Sequence, residues 1–229
     1  MHIWKPDWIA AIGTILLAIL AVFQDKIRAW LARPKLELQA GIGPPYSYKT
    51  SWVYPYWPIP HGAEAETEYF PCYYFRLAIR NNGNVAAHQV ELFAASLSSC
   101  GTNGQLVTVK RFTPMNLMWA HEHKVYLPVL SPKMTKFCDL AHLVDPRFRS
   151  KLDYDLPGVP ANDCVLAFDL QVEPKMKGHL LEPGEYQLTL IVAAENARPR
   201  EYVVKFTFSG EWYDAEETMF DAGFRLRVI

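Results

Sequence analysis

The sequence predicts a mainly β fold, a sandwich of two packed sheets, preceded by a single transmembrane helix. Three observations carry this. Several runs alternate apolar and polar residues with the period of two that a half-buried strand requires. Aromatic residues make up 14% of the chain, there are 17 prolines, and few stretches show helical periodicity, a balance that favours strands and loops over helices. Trp8 to Phe23 (WIAAIGTILLAILAVF) is an apolar run without a charge.

At about 1.5 Å per residue the run from Trp8 to Phe23 covers roughly 24 Å, slightly less than a ~30 Å hydrocarbon core. Its flanks extend it. Trp4 and Trp8 suit the interface on one side; Lys26, Arg28, Trp30 and Arg33 suit it on the other, and Pro34 ends the helix. A buried core helix would carry a polar stripe, and an in-plane helix a polar face; neither is present. A cleavable signal peptide needs a small-x-small site, whereas Gln24-Asp25-Lys26 follows the run. Lys5 precedes the run, while Lys26, Arg28, Arg33 and Lys35 follow it. The positive-inside rule therefore predicts a cytoplasmic C-terminal domain. Ala10, Thr14, Ala18 and Ala21 share one helix face, a small-residue stripe that favours close helix–helix approach and self-association. No charged residue lies within the span to line an ion pathway.

The 23 basic and 24 acidic residues give a net charge of −1. That excludes a general nucleic-acid-binding surface, which needs a basic excess. The short basic segment after the helix is matched instead to anionic lipid headgroups, making membrane lipid an expected partner. Cys72, Cys100, Cys138 and Cys164 are widely spaced and form no CxxC pair, which fits free thiols in a reducing compartment; two disulfides fit the inverted orientation.

Beyond Pro34, Leu36, Leu38, Ala40 and Ile42 share a strand face. Residues 43–72 hold Pro44, Pro45, Pro55, Pro58, Pro60 and Pro71 and read as a long loop, because proline removes backbone donors. Interleaved aromatics, Tyr46, Tyr48, Trp52, Tyr54, Tyr56 and Trp57, are the candidate partner surface; the competing reading folds these rings back over the sheet. Tyr73, Phe75, Leu77 and Ile79 then form one strand face, with Tyr74, Arg76, Ala78 and Arg80 opposite. Asn81-Asn82-Gly83-Asn84 turns the chain into a strand at Val90–Phe93.

The middle is harder to read. Residues 106–112 and 123–130 are expected strands, 135–144 a short helix or strand, and 146–163 a loop, so that 94–164 looks like an insertion. The end is regular. Leu166, Phe168, Leu170 and Val172 alternate with polar residues; a hairpin follows, Tyr186 to Ala194 turning at 195–200 into Tyr202 to Phe208; Phe224 to Val228 is last. About eight or nine strands result, enough for two packed sheets.

The stretch Phe75-Arg76-Leu77-Ala78-Ile79-Arg80-Asn81-Asn82-Gly83-Asn84-Val85-Ala86-Ala87-His88-Gln89-Val90 resembles the strand, N-x-G turn, A-x-x-V strand signature of bacterial immunoglobulin-like domains of the CARDB sort. The helix followed by Trp30-Leu31-Ala32-Arg33-Pro34-Lys35-Leu36-Glu37 resembles bacterial single-pass membrane proteins with such a domain behind the anchor. The resemblance covers about half of the chain and implies a fold, not an activity. It implies an anchor over residues 1–34, an immunoglobulin-like β-sandwich over 35–229, and an inner-membrane location.

Reactive constellations are scarce. There is no nucleophile elbow, phosphate loop, dinucleotide fingerprint or H-E-x-x-H. His121 and His123 would share a strand face, but further metal ligands (His61 or His142) would have to come from distant segments. Asp153, Asp155, Glu216 and Glu217 are candidate carboxylate pairs, read as solvated acids. The sequence therefore predicts no catalytic residue, metal or cofactor. It predicts a membrane-anchored interaction or assembly module that binds a protein partner or another copy of itself. The alternatives are an oligomerising membrane effector, on the layout of bacterial defence proteins, whose helices associate and perturb the bilayer, and a ligand-binding or enzymatic sandwich.

Overall fold

The alternating runs form strands, and the strands form two sheets. A computed structural model of the chain describes residues 7–31, 33–54, 68–101, 103–120 and 124–229, with side chains described within these at 8–24, 33–53, 68–101, 103–120 and 124–229. Helix α1 (Asp7–Leu31) comes first, then β1 (Leu36–Ala40), β2 (Ser47–Tyr54), β3 (Glu68–Asn81) and β4 (Ala87–Cys100). The middle contributes β5 (Leu106–Thr108), β6 (Met115–Asn116), β7 (Tyr126–Leu130) and β8 (Thr135–Val144). The end contributes β9 (Leu166–Phe168), β10 (Leu180–Leu181), β11 (Gly184–Ala194), β12 (Ala197–Phe208) and β13 (Phe224–Val228).

One sheet runs β1-β3-β8-β9-β10, and β2 lies end to end with β1 along β3: β1 pairs with Leu77–Asn81, β2 with Glu68–Phe75. The other runs β13-β12-β11-β4, with β5, β6 and β7 end to end along the far edge of β4. All ladders are antiparallel. The core lies between the sheets. Tyr73, Phe75, Leu77 and Ile79 of β3 meet Val90 and Leu92 of β4, Leu188 and Leu190 of β11 and Val204 and Phe206 of β12, all buried. Phe75 stacks on Phe224 at 3.7 Å between ring centres. Each such side chain contributes about 1.5–3 kcal/mol through burial. At the start of β11 the Tyr186 hydroxyl donates to the Glu182 carbonyl at 2.9 Å, pinning the corner that enters the strand. Trp119, buried beside β4, bridges to Cys138 of β8, and its indole N–H donates to the Val90 carbonyl. This segment sews one edge of each sheet together.

Several expectations change. The 43–72 loop is in large part strand: β2 pairs with β3 from Ser47↔Phe75 to Tyr54↔Glu68, and Pro71 sits inside β3 opposite Ser51. The Tyr, Thr, Val and Trp residues of 46–54 favour a pleated surface, and their prolines fall outside β2. Residues 55–67 lie outside the described residues, as do His61, His121 and His123. β4 runs the full Ala87–Cys100 rather than Val90–Phe93. Of the two readings of 135–144, short helix or strand, the strand is the one found, because β8 is held between β3 and β9. Of 106–112 only Leu106–Thr108 is strand, Phe112 N–H turning back to the Val109 carbonyl. The late run stops at Phe168, and Val172 is exposed.

The 146–163 segment is not a plain loop. It holds two 3-10 turns, Pro146–Phe148 and Ser150–Leu152. It folds over the outer face of the first sheet, where Tyr154 and Leu156 close a second core with Trp52, Phe70, Cys72, Val144, Val165, Ala167 and Leu180.

Helix α1 is 25 residues, about 37 Å. From Trp8 to Gln24 its side chains are exposed, Gly13 alone being half-buried, and none joins either core. The charge-free stretch is shorter than the helix, and among the described residues no helix is long and apolar enough to cross a membrane.

Candidate functional site

Of the expected packing face, Ala10, Thr14, Ala18 and Ala21 all lie on α1 and are exposed, and the Thr14 hydroxyl donates to the Ala10 carbonyl at 2.9 Å. Of the expected interface residues, Trp8 is half-exposed on α1. Lys26, Arg28 and Trp30 lie on α1 with side chains outside the described set, as does Trp4 altogether. Arg33 is half-buried where the chain meets the sandwich.

That junction is fixed by backbone chemistry. The Asn81 side-chain oxygen accepts the Lys35 N–H at 3.2 Å and the Gly83 N–H at 2.9 Å, and the Asn82 N–H donates to the Lys35 carbonyl at 2.8 Å. The Tyr202 hydroxyl donates to the Leu36 carbonyl at 3.0 Å. Gly83 packs so closely that a Cβ there would lie 2.5 Å from the Arg33 carbonyl oxygen. Beside this clamp is a groove of about 330 Å³ lined by Arg33, Pro34, Lys35, Leu36, Ala197, Arg198, Pro199 and Arg200. Sequence reasoning does not single out Arg198 and Arg200 as site residues, because 195–200 reads as a turn. Their parity is the signal that marks them: they continue the inward series Tyr202, Val204, Phe206 and Phe208.

The aromatic set divides. Trp52 is 5% exposed, and its ring stacks on His142 at 4.0 Å and on Tyr74 at 5.9 Å. It is thus a core residue, not a contact surface. Tyr46 packs edge-on to Phe137 at 5.8 Å, and Tyr48 lies under the Arg76 guanidinium at 4.8 Å. These three rings cover their own sheet. Tyr54 ends β2 with its side chain outside the described set, and Tyr56 and Trp57 lie outside the described residues.

Under Trp52 lies a buried polar network invisible in the sequence. His142 sits between the Asp169 carboxylate (Nδ1 to Oδ1, 3.1 Å) and the Tyr154 hydroxyl (Nε2 to O, 3.0 Å). His179 packs edge-on to Tyr154 at 6.3 Å, neither ring nitrogen is hydrogen-bonded among the described residues, and burial lowers its pKa to about 4. Asp139 pairs with Arg76 at 2.9 Å, yet burial raises its pKa to about 6. Burial likewise pushes the Cys72 thiol up to about 12, so it is no ready thiolate nucleophile. The network fastens the 146–163 flap. Arg149 extends it, donating to the Pro160 and Asp163 carbonyls at 2.7 and 2.6 Å and reaching Asp155 at 3.3 Å. Asp153 is paired with Lys177 at 2.7 Å, and Glu216 accepts the Lys49 N–H. Those acids are structural partners rather than paired carboxylates. All four cysteines are free, and no set of metal-ligating side chains converges among the described residues.

No protein-family model matches the chain, and no curated protein matches it significantly.

Proposed function

We propose that the chain is a single-pass membrane protein whose immunoglobulin-like sandwich is held close to the cytoplasmic face of the inner membrane as an interaction and assembly module. One observation carries the reading: α1 exposes an unbroken apolar surface, from Trp8 to Phe23, that the two cores leave uncovered. An exposed apolar surface of this size calls for lipid or another helix. The described apolar stretch alone falls short of a full span, so the reading takes the helix on beyond Phe23, to Leu31, to carry the polar flank through the headgroups. The clamp at Asn81 supports close tethering, since only Ala32, Arg33 and Pro34 lie between α1 and Lys35. The immunoglobulin-like assignment is supported by the strand order, β1-β3-β8 facing β12-β11-β4, and by the Tyr186 corner. With Trp52 buried, the partner surface contracts to Tyr54, Tyr56 and Trp57.

Carbonate extraction and protease protection test the anchor. The full chain is expected in the membrane pellet, its sandwich cleaved only in inverted vesicles; release by carbonate overturns the reading. A photo-crosslinking residue at Trp57 in the full chain tests the partner surface. A discrete adduct is expected, doubled in mass if the partner is a second copy, and an absence of any adduct removes this surface from the proposal.

A further inference from the structure

The groove at the junction is rich in cations. Four of its eight lining residues are cations, Arg33, Lys35, Arg198 and Arg200, and none is acidic. None of these four side chains makes an ion pair or hydrogen bond among the described residues. The remaining lining, Pro34, Leu36, Ala197 and Pro199, is apolar. Two chain segments far apart in sequence are needed to build it. One is the residues just after α1; the other is the β11–β12 hairpin, whose tip is tied down by Asn196, accepting from the His88 N–H at 3.0 Å and donating to the Ala86 carbonyl at 2.9 Å. The inward face of β12 thus passes from Phe208, Phe206, Val204 and Tyr202 to Arg200 and Arg198 where the chain arrives from the helix.

Like charges gathered without carboxylates repel one another and favour an anion between them. Arginine's planar fork suits phosphate oxygens, and the apolar walls suit the glycerol and first acyl carbons behind them. We infer that this groove binds the phosphate headgroup of an anionic phospholipid. The inference rests on the anchored reading above, because α1 then delivers the groove to a leaflet. A groove of similar size on the opposite face of the second sheet, about 320 Å³, makes the contrast: Lys205, Arg225 and Arg227 line it together with Glu185, so a carboxylate already answers its charge.

The test uses the full chain in a mild detergent, titrated with dihexanoyl phosphatidylglycerol, dihexanoyl phosphatidylcholine or glycerol 3-phosphate, with bound species counted by native mass spectrometry. One phosphatidylglycerol is expected to be retained, with phosphatidylcholine about tenfold weaker or more. The double variant Arg198→Gln/Arg200→Gln is expected to lose about tenfold or more in phosphatidylglycerol affinity, and Arg225→Gln/Arg227→Gln to lose none. Equal affinity for the two lipids, or an Arg198/Arg200 variant that binds like wild type while melting like it, overturns the inference. So does glycerol phosphate binding as tightly as the lipid, which makes the groove a site for soluble phosphates. The lipid comparison on the wild-type chain decides the matter even if the variant unfolds. Carbonate extraction of the same preparation separates the two readings. A chain released from membranes fails as an anchored protein; a chain retained without headgroup preference fails only as a headgroup binder.

Discussion

The side-chain oxygen of Asn81 accepts the backbone N–H of Lys35 at 3.2 Å, so the last residue of β3 holds the chain where it leaves the helix segment. Asn81 is fully buried, and its amide donates to the Val85 and Leu130 carbonyls at 2.7 and 3.0 Å. Asn81→Ala leaves several of these groups unmatched in the interior and is expected to destabilise the sandwich by about 2–4 kcal/mol. Asn81→Asp keeps the acceptor but loses both donors, so it does not rescue. Gly83→Ala attacks the same junction sterically, pressing a methyl group on the backbone at 33–35. An expected loss of about 1–3 kcal/mol follows. Denaturant unfolding of the full chain in mild detergent, read by tryptophan fluorescence, measures both; wild-type midpoints would show that the junction is not a structural keystone.

The Asn81-Asn82-Gly83 turn is legible in the sequence, but its role as a clamp on the chain at Lys35 is not. A turn motif is local, and so are the alternations of β3, β11 and β12, where residues two apart share a face. What stayed hidden is non-local. His142, Asp169 and His179 meet through the pairing of β8, β9 and β10, and Tyr154 joins them only because the flap folds over the outer sheet face. Trp52, among crowded prolines, reads either as a displayed ring or as one folded back over the sheet, and only the pairing with Phe70, which turns it onto His142, decides for the second. Arg198 and Arg200 carried the right parity, but the residues they face, 33–36, come from the other end of the sequence.

The burial of Trp52 separates stability from recognition. Trp52→Ala opens a large cavity over His142 and is expected to lower stability by about 3–5 kcal/mol. Tyr154→Phe removes one hydrogen bond to His142 and is expected to lower it by about 0.5–1.5 kcal/mol. Neither changes the photo-crosslinked adduct from Trp57 under conditions where the chain is folded. Loss of that adduct in a folded Trp52→Ala protein would return Trp52 to the contact surface.

Two buried groups give opposed pH dependences. His179 has a folded pKa of about 4 because burial disfavours its cation, whereas an unfolded histidine titrates near ~6.5. Between those values the unfolded chain binds more protons, so this group lowers stability as pH falls from ~6.5 towards ~4. Asp139, raised to about 6 by burial, does the reverse. Between ~4 and ~6 the folded chain binds more protons, and stability falls as pH rises. His179→Leu leaves Asp139 in place. Relative to wild type, the variant is expected to gain stability steadily as pH falls from ~6.5 to ~4; Asp139→Asn is expected to steepen the acid-side loss. Melting temperatures across that range decide it, and a His179→Leu difference independent of pH would mean that His179 titrates normally in the fold.

The small-residue face of α1 yields the sharpest separation between a tether and an assembling helix. Thr14 donates its hydroxyl to the Ala10 carbonyl at 2.9 Å, so that donor is already used within its own helix. Any contribution to association must then come from its small size, which lets backbones approach, rather than from an interhelical hydrogen bond. Thr14→Ala is accordingly expected to preserve association of the full chain in mild detergent, while Thr14→Leu and Ala18→Leu, which fill the face, are expected to shift it towards monomer. Leu replaces other apolar or small groups on an exposed surface, so the helix itself keeps its propensity and all three variants still partition with membranes. Sedimentation in density-matched detergent gives the oligomeric state directly. If the wild-type chain is already a monomer, α1 only tethers, and assembly has to be sought through the sandwich; if Thr14→Ala dissociates the oligomer while Thr14→Leu does not, hydroxyl chemistry rather than size holds the helices together.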